Sequence, residues 1–175
     1  MRTVIFTLLC ALMLLAADPV HRAPGFSLPD LRAEQHDLAD YRGKVVLLEF
    51  MQSTCPHCAA FTEVLNKVQQ KYGAKVGILA VANPPDNQNT VAAYISGHQI
   101  TYPILFDCGQ VAYSYLRVVQ FDLPQVFLID AKGMVQHHYE YGPMTRDIFE
   151  GDGLSTEIDR LLAATATPRN ASQKK

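Results

Sequence analysis

The chain has 175 residues, 49% of them hydrophobic and 18% charged, with a formal net charge of −2. That balance suits a folded domain and excludes wholesale disorder, and the absence of a basic or acidic block excludes a charge-driven footprint for nucleic acid. Four cysteines and no tryptophan leave the cysteines as the carriers of any distinctive chemistry.

Arg2 precedes an apolar run over residues 4–17 that only Thr7 interrupts, and Asp18-Pro19 ends it. A spanning helix needs about 20 apolar residues, so the run is short for an anchor and has the length of a signal-peptide core. Residues 1–17 are therefore expected to direct export to a periplasmic or otherwise extracytoplasmic compartment. Leu15 stands where cleavage prefers a small residue, so retention as a membrane tether stays open. Cys10 reads as a small hydrophobe within this segment. Cys55, Cys58 and Cys108 would then lie in an oxidising compartment, where a nearby pair can cycle.

An extended, proline-punctuated stretch over residues 23–30 follows, and Asp40-Tyr41-Arg42-Gly43-Lys44 turns into a buried parallel strand over 45–50. Phe61, Val64, Leu65 and Val68 have helical spacing within 58–72, closed by Gly73. A second buried strand spans 76–82, a loop 83–87, and a helix runs through Val91 and Ile95 to His98. A strand over 102–107, a brief helix over 110–116, a strand over 123–130 and a hairpin partner over 135–141 come next. An amphipathic helix over 154–164 precedes a polar tail, 165–175, expected to be disordered. Alternating strands and helices with a closing hairpin predict an α/β fold with a mixed sheet and one domain over 23–164.

Cys55-Pro56-His57-Cys58 follows a buried strand and opens a helix. Unpaired N–H groups and the positive end of the helix dipole favour a thiolate there, and Pro56 suits the first turn because its missing N–H costs nothing. Two intervening residues bring the sulfurs within bonding reach, so Cys55 is expected to attack as the exposed nucleophile and Cys58 to resolve from one turn inside. His57, protonated or donating near the sulfur, would stabilise the Cys55 thiolate and make the disulfide more oxidising. A static disulfide and half a zinc site are the structural alternatives, but no second C-x-x-C completes a ligand set and His137-His138 does not persuade.

Ala23-Pro24-Gly25-Phe26-Ser27-Leu28, Tyr41-Arg42-Gly43-Lys44-Val45-Val46-Leu47-Leu48, the cysteine pair and Leu123-Pro124-Gln125-Val126-Phe127-Leu128-Ile129-Asp130 occur in that order. With these landmarks the chain resembles the TlpA-like branch of the thioredoxin superfamily of thiol–disulfide oxidoreductases. The resemblance implies a thioredoxin-like fold, with an N-terminal hairpin extension and an inserted helix–strand unit over about residues 83–107. It implies that Pro124 is a cis-proline facing the cysteines and, with Leu123 before it, meets the substrate backbone. It also implies that Glu49, six residues ahead of Cys55, moves protons to the second cysteine. An edge-facing or salt-bridged Glu49 is the plain alternative. Thr54 replaces the family's tryptophan, Leu123 replaces a common threonine or valine, and proline-histidine between the cysteines is similar to DsbA-type oxidants. Both directions of electron flow stay open.

The leading expectation is an enzyme that exchanges disulfides with protein thiols in the cell envelope, monomeric, needing no cofactor or metal, and served by a membrane electron donor or acceptor. A thiol peroxidase of the AhpC/TSA type is the second reading, although Leu48 and Gln52 occupy the positions of its usual proline and threonine. A Cu(I)-binding module using Cys55, His57 and Cys58 is the third. Cys108 reads as a semi-buried free thiol or a third redox cysteine. Tyr113, Tyr115 and Tyr141 read as half-buried aromatics, and His98, His137 and His138 as surface or strand-end residues.

Overall fold

The structure, a computed structural model, describes residues 20–166. Its central strands are β4 (Val45–Met51) and β5 (Val76–Ala82), both buried along their whole length, which explains why they read as continuous apolar runs. β4 pairs in parallel with β5, and β5 with β6 (Ile104–Phe106). On the other side β4 pairs antiparallel with β7 (Gln125–Ile129), β7 with β8 (Met134–Glu140), and β8 with β1 (His21–Arg22). The six strands form one mixed sheet in the order β1-β8-β7-β4-β5-β6. A separate hairpin joins β2 (Ser27–Pro29) to β3 (Gln35–Asp37), and Asp30 bridges to Leu105 of β6.

The pleat of β4 divides the core. Val45, Leu47 and Met51 pack with α1 (Pro56–Tyr72), α4 (Arg146–Glu150) and α5 (Asp152–Ala166), and α2 (Gln88–His98) adds Val91 and Tyr94 to that face. Val46, Leu48 and Phe50 pack instead with Phe26, Leu38 and Ala112, the last from α3 (Gln110–Leu116). The expected α/β architecture, a mixed sheet flanked by helices, is therefore present, as are the N-terminal hairpin and the inserted α2–β6 unit.

α1 begins at Pro56, in the first turn where the cysteine motif placed it, and the Cys55 side chain caps it. The differences are local. α5 runs from 152 to 166, so the first two residues of the expected tail are helical. Residues 167–175 and the expected export segment, 1–17, lie outside the described residues. α4 escaped the sequence reading because five residues are too few to display a helical period. At the β7–β8 turn, Asp130 accepts from the amides of Lys132 and Met134, and Gly133 takes a φ of +76° that disfavours a side chain.

Leu47 is completely buried between β4 and the helices of the first face. Leu47→Ala should lower unfolding free energy by about 2–5 kcal/mol in urea titration, through lost burial and an unfilled cavity. A loss well under about 1 kcal/mol would contradict this placement of the core.

Candidate active site

β4 runs directly into the site. After Met51, the loop is pinned to the segment following β5. The Asn83 amide donates to the Met51 carbonyl at 3.0 Å, and the Ser53 amide donates to Asp86 at 2.7 Å. The Ser53 hydroxyl also donates to Asp86, and the Gln52 side chain donates to the Pro84 carbonyl. Asp86 is held in turn by the Thr90 hydroxyl at 2.9 Å, at the start of α2. These anchors fix the backbone that carries Cys55.

Cys55 is the N-cap of α1, in extended conformation, and its sulfur accepts from the Cys58 amide at 3.2 Å. Cysteine thus does what serine or aspartate does at most helix starts. Pro56 follows in the first turn. Cys55 is part-exposed and Cys58 fully buried, both as free thiols, which is the asymmetry that the helical spacing led one to expect. The Cys55 thiol also faces the Leu123 carbonyl at 3.7 Å. The Leu123–Pro124 bond is cis, and Pro124 is buried. The structure therefore brings Cys55, Cys58, Leu123 and Pro124 to one place.

Glu49 lies two positions before the end of β4, between Ala80 of β5 and Val126 of β7. It is 1% exposed, and its Oε1 has no hydrogen-bond partner among the described residues. Neither an edge position nor an ion pair accounts for it. Burial alone pushes its carboxyl up from 4.5 to about 8. Burial likewise raises the Cys58 thiol far above the ordinary thiol range, and the Glu49 charge adds to that rise. The carboxyl and the inner thiol are thus electrostatic neighbours that resist being charged together.

His57 is exposed, and its ring stacks on Tyr141 with centroids 4.0 Å apart and planes 21° from parallel. Tyr141 meets Phe149 of α4 at 5.3 Å, and Phe149 meets Phe61 of α1 at 4.9 Å. This aromatic line holds His57 beside the pair from the core outward. Tyr141 itself is exposed, as is Tyr113.

Beside the pair opens a cavity of about 890 Å³, lined among others by Gln52, Asn83, Cys108, Tyr113, Val119 and Leu123. Cys108 is exposed in its wall, which corrects the semi-buried expectation: it lies in the short loop between β6 and α3, at the end of the edge strand. Sequence reasoning missed Asp86, Asn83 and Tyr141. Only the polar loop 83–87 hinted at the first two, and nothing in the spacing of Tyr141 tied it to His57. Asp30, Glu34 and His36 approach within 4.8 Å of one another, but they lie on the β2–β3 hairpin, where Asp30 already accepts from the Arg32 and Glu34 amides.

Comparison with known proteins agrees with this geometry. A model of the AhpC/TSA family matches residues 19–138. The thiol-disulfide oxidoreductase ResA of Geobacillus kaustophilus is 34% identical over 129 residues, covering 73% of this chain and 72% of that protein. The thioredoxin-like protein YneN of Bacillus subtilis is 31% identical over 131 residues, covering 74% of this chain and 75% of that protein. Among solved structures, a Chlorobium tepidum protein assigned as the thiol:disulfide interchange protein DsbE superposes with a TM-score of 0.70 at 26% identity, over 82% of this chain and 96% of that one. A thioredoxin-like fold, a helix-capping cysteine pair and these relatives converge: the chain belongs to the AhpC/TSA family, among its thioredoxin-like members.

Proposed function

We propose that this chain catalyses thiol–disulfide exchange with protein substrates in an extracytoplasmic compartment, using Cys55 as nucleophile and Cys58 as resolving thiol. The observation that carries the reading is the part-exposed Cys55 sulfur at the N-cap of a 17-residue helix, 3.2 Å from the Cys58 amide. The helix N-terminus favours a thiolate there. In the reducing direction, that thiolate attacks one sulfur of a substrate disulfide and releases the other as a thiolate. Cys58 then gives its proton to the Glu49 carboxylate and attacks the Cys55 sulfur. The first substrate sulfur leaves, so the substrate gains two electrons and the Cys55–Cys58 pair loses them. The oxidising direction is the same sequence reversed.

His57 tunes this balance when protonated, since a positive ring held on Tyr141 stabilises the adjacent thiolate electrostatically. Leu123 and Pro124 receive the backbone beside the substrate cysteine, and the neighbouring cavity accommodates the side chains that flank it. The apolar run over residues 4–17 supports export. A membrane electron donor or acceptor would restore the pair, and the chain acts as a monomer. The peroxidase reading lacks its usual hydroxyl: the third residue before Cys55 is Gln52, whose amide is engaged by the Pro84 carbonyl.

Incubated with insulin, whose chains are joined by disulfides, Cys58→Ser should accumulate a mixed disulfide visible on a non-reducing gel, and Cys55→Ser should not. Trapping by Cys55→Ser alone would overturn the assignment of roles.

Glu49 also predicts a pH dependence of stability. Its folded value of about 8 lies above its ordinary 4.5, so the folded protein binds the proton more tightly than the unfolded chain. Stability is complete below about 4.5 and falls as pH rises through about 8. Urea midpoints measured across that window should decline for the wild type and flatten for Glu49→Gln. Parallel slopes in the two proteins would show that Glu49 is not a buried, protonated acid.

A further inference from the structure

Behind Cys58, on the helix face of the sheet, hydroxyl groups gather in an otherwise apolar layer. Thr62 follows Cys58 by one turn of α1 and is 1% exposed. Its hydroxyl lies 2.7 Å from that of Tyr94 on α2. Tyr102, from the segment leading into β6, places its buried hydroxyl beside Thr62. Glu49, Ala80 and Ile104 share one row across β4, β5 and β6, and Tyr102, two residues before Ile104, is buried in the same helix-face cluster as Ala80 and Ile104. Burial first, and the Glu49 charge after it, raises Tyr102; burial and the Glu49 charge also raise Tyr94, and in both the Thr62 hydroxyl opposes the rise. Both phenols thus stay protonated donors within the electrostatic reach of the carboxyl.

The groups facing Glu49 are few. α1 offers Cys58 and, farther out, Cys55; α2 offers Tyr94; the segment before β6 offers Tyr102. β5 and β7 set Ala80 and Val126 beside it, and α4 and α5 add the apolar Phe149 and Leu154 to the same core. Among the described residues no cation contributes to its environment. Farther out, His98 packs on the Tyr94 ring at 4.4 Å and reaches Glu63 at 3.6 Å, at the protein surface.

We infer that Tyr102 is a positioning residue for the buried carboxyl, donating to Glu49 once that group is charged, and that the Thr62–Tyr94 pair steadies the Tyr102 hydroxyl for this. The inference rests on the proposal that Glu49 takes the Cys58 proton. A carboxylate buried without a donor is costly, and a hydrogen bond to the charged form offsets that cost. The proton moves from the Cys58 sulfur to Glu49, and Tyr102 keeps its own proton throughout. Tyr102 therefore governs how readily Glu49 is available as a base, while Cys55 and the cavity beside it are untouched.

The test uses the mixed disulfide of Cys55 with thionitrobenzoate, whose displacement by Cys58 is followed by colour as a function of pH. Tyr102→Phe should move the midpoint of this resolving rate upward by about one pH unit, because the charged carboxyl loses a donor. Thr62→Val should move it less and in the same direction. Tyr115→Phe removes a buried hydroxyl that donates to the Pro24 carbonyl on the opposite face, so it should leave the midpoint in place. Glu49→Gln should abolish that titration. If Glu49→Gln abolishes it while Tyr102→Phe and Thr62→Val leave the midpoint unchanged, the positioning role is overturned and the base stands. If Glu49→Gln leaves the profile intact, the base reading falls, and this inference with it. A shift of equal size in Tyr115→Phe would mark a general loosening of the core and overturn the role of Tyr102.

Discussion

The hydrogen bond from the Cys58 amide to the Cys55 sulfur is the contact on which the rest of the site depends. It makes a thiol the cap of α1, and so ties the chemistry to the geometry of a helix start. That start can lie only where β4 ends, and β4 is fixed by burial on both faces and by ladders to β5 and β7. The pinning of Met51, Gln52 and Ser53 to Asn83, Pro84 and Asp86 of the opposite loop then leaves the short connection little freedom. Sheet, loop and helix together hold one sulfur out and one sulfur in.

The two thiols differ because their surroundings differ. Cys55 stands at a helix start, part-exposed to solvent. Cys58 meets apolar side chains and a carboxyl, conditions that oppose its charge. In the proposed mechanism a resolving thiol so placed needs a base close by, and the same burial that disfavours its charge raises Glu49 to about 8, into the range where a carboxyl can both hold and surrender a proton near neutral pH. One physical cause, exclusion of water beneath α1, thus supplies the difficulty and its remedy.

Much of this was legible in the sequence because it rests on local pattern. Val45 to Leu48 and Val76 to Val81 announce buried strands, and Phe61, Val64, Leu65 and Val68 announce the helix that the cysteines open. The cis bond at Pro124 and the burial of Glu49 came instead from family resemblance, since neither follows from spacing. What escaped depends on contacts between distant segments. His57 meets Tyr141 from beyond β8, Ser53 meets Asp86 from beyond β5, and Thr62 meets Tyr94 across two helices. No periodicity records such meetings. The exposure of Cys108 escaped for the same reason, because it is set by what the fold leaves uncovered at the end of β6.

The most direct test of the central claim is the equilibrium of the Cys55–Cys58 pair with a graded glutathione redox buffer. The account predicts a reversible two-electron couple, lost in either single serine variant, with a potential between those of thioredoxin at about −270 mV and DsbA at about −120 mV. A value near the upper bound would make the chain an oxidant, and one near the lower bound a reductant. A pair that showed no reversible couple across the series would contradict the account.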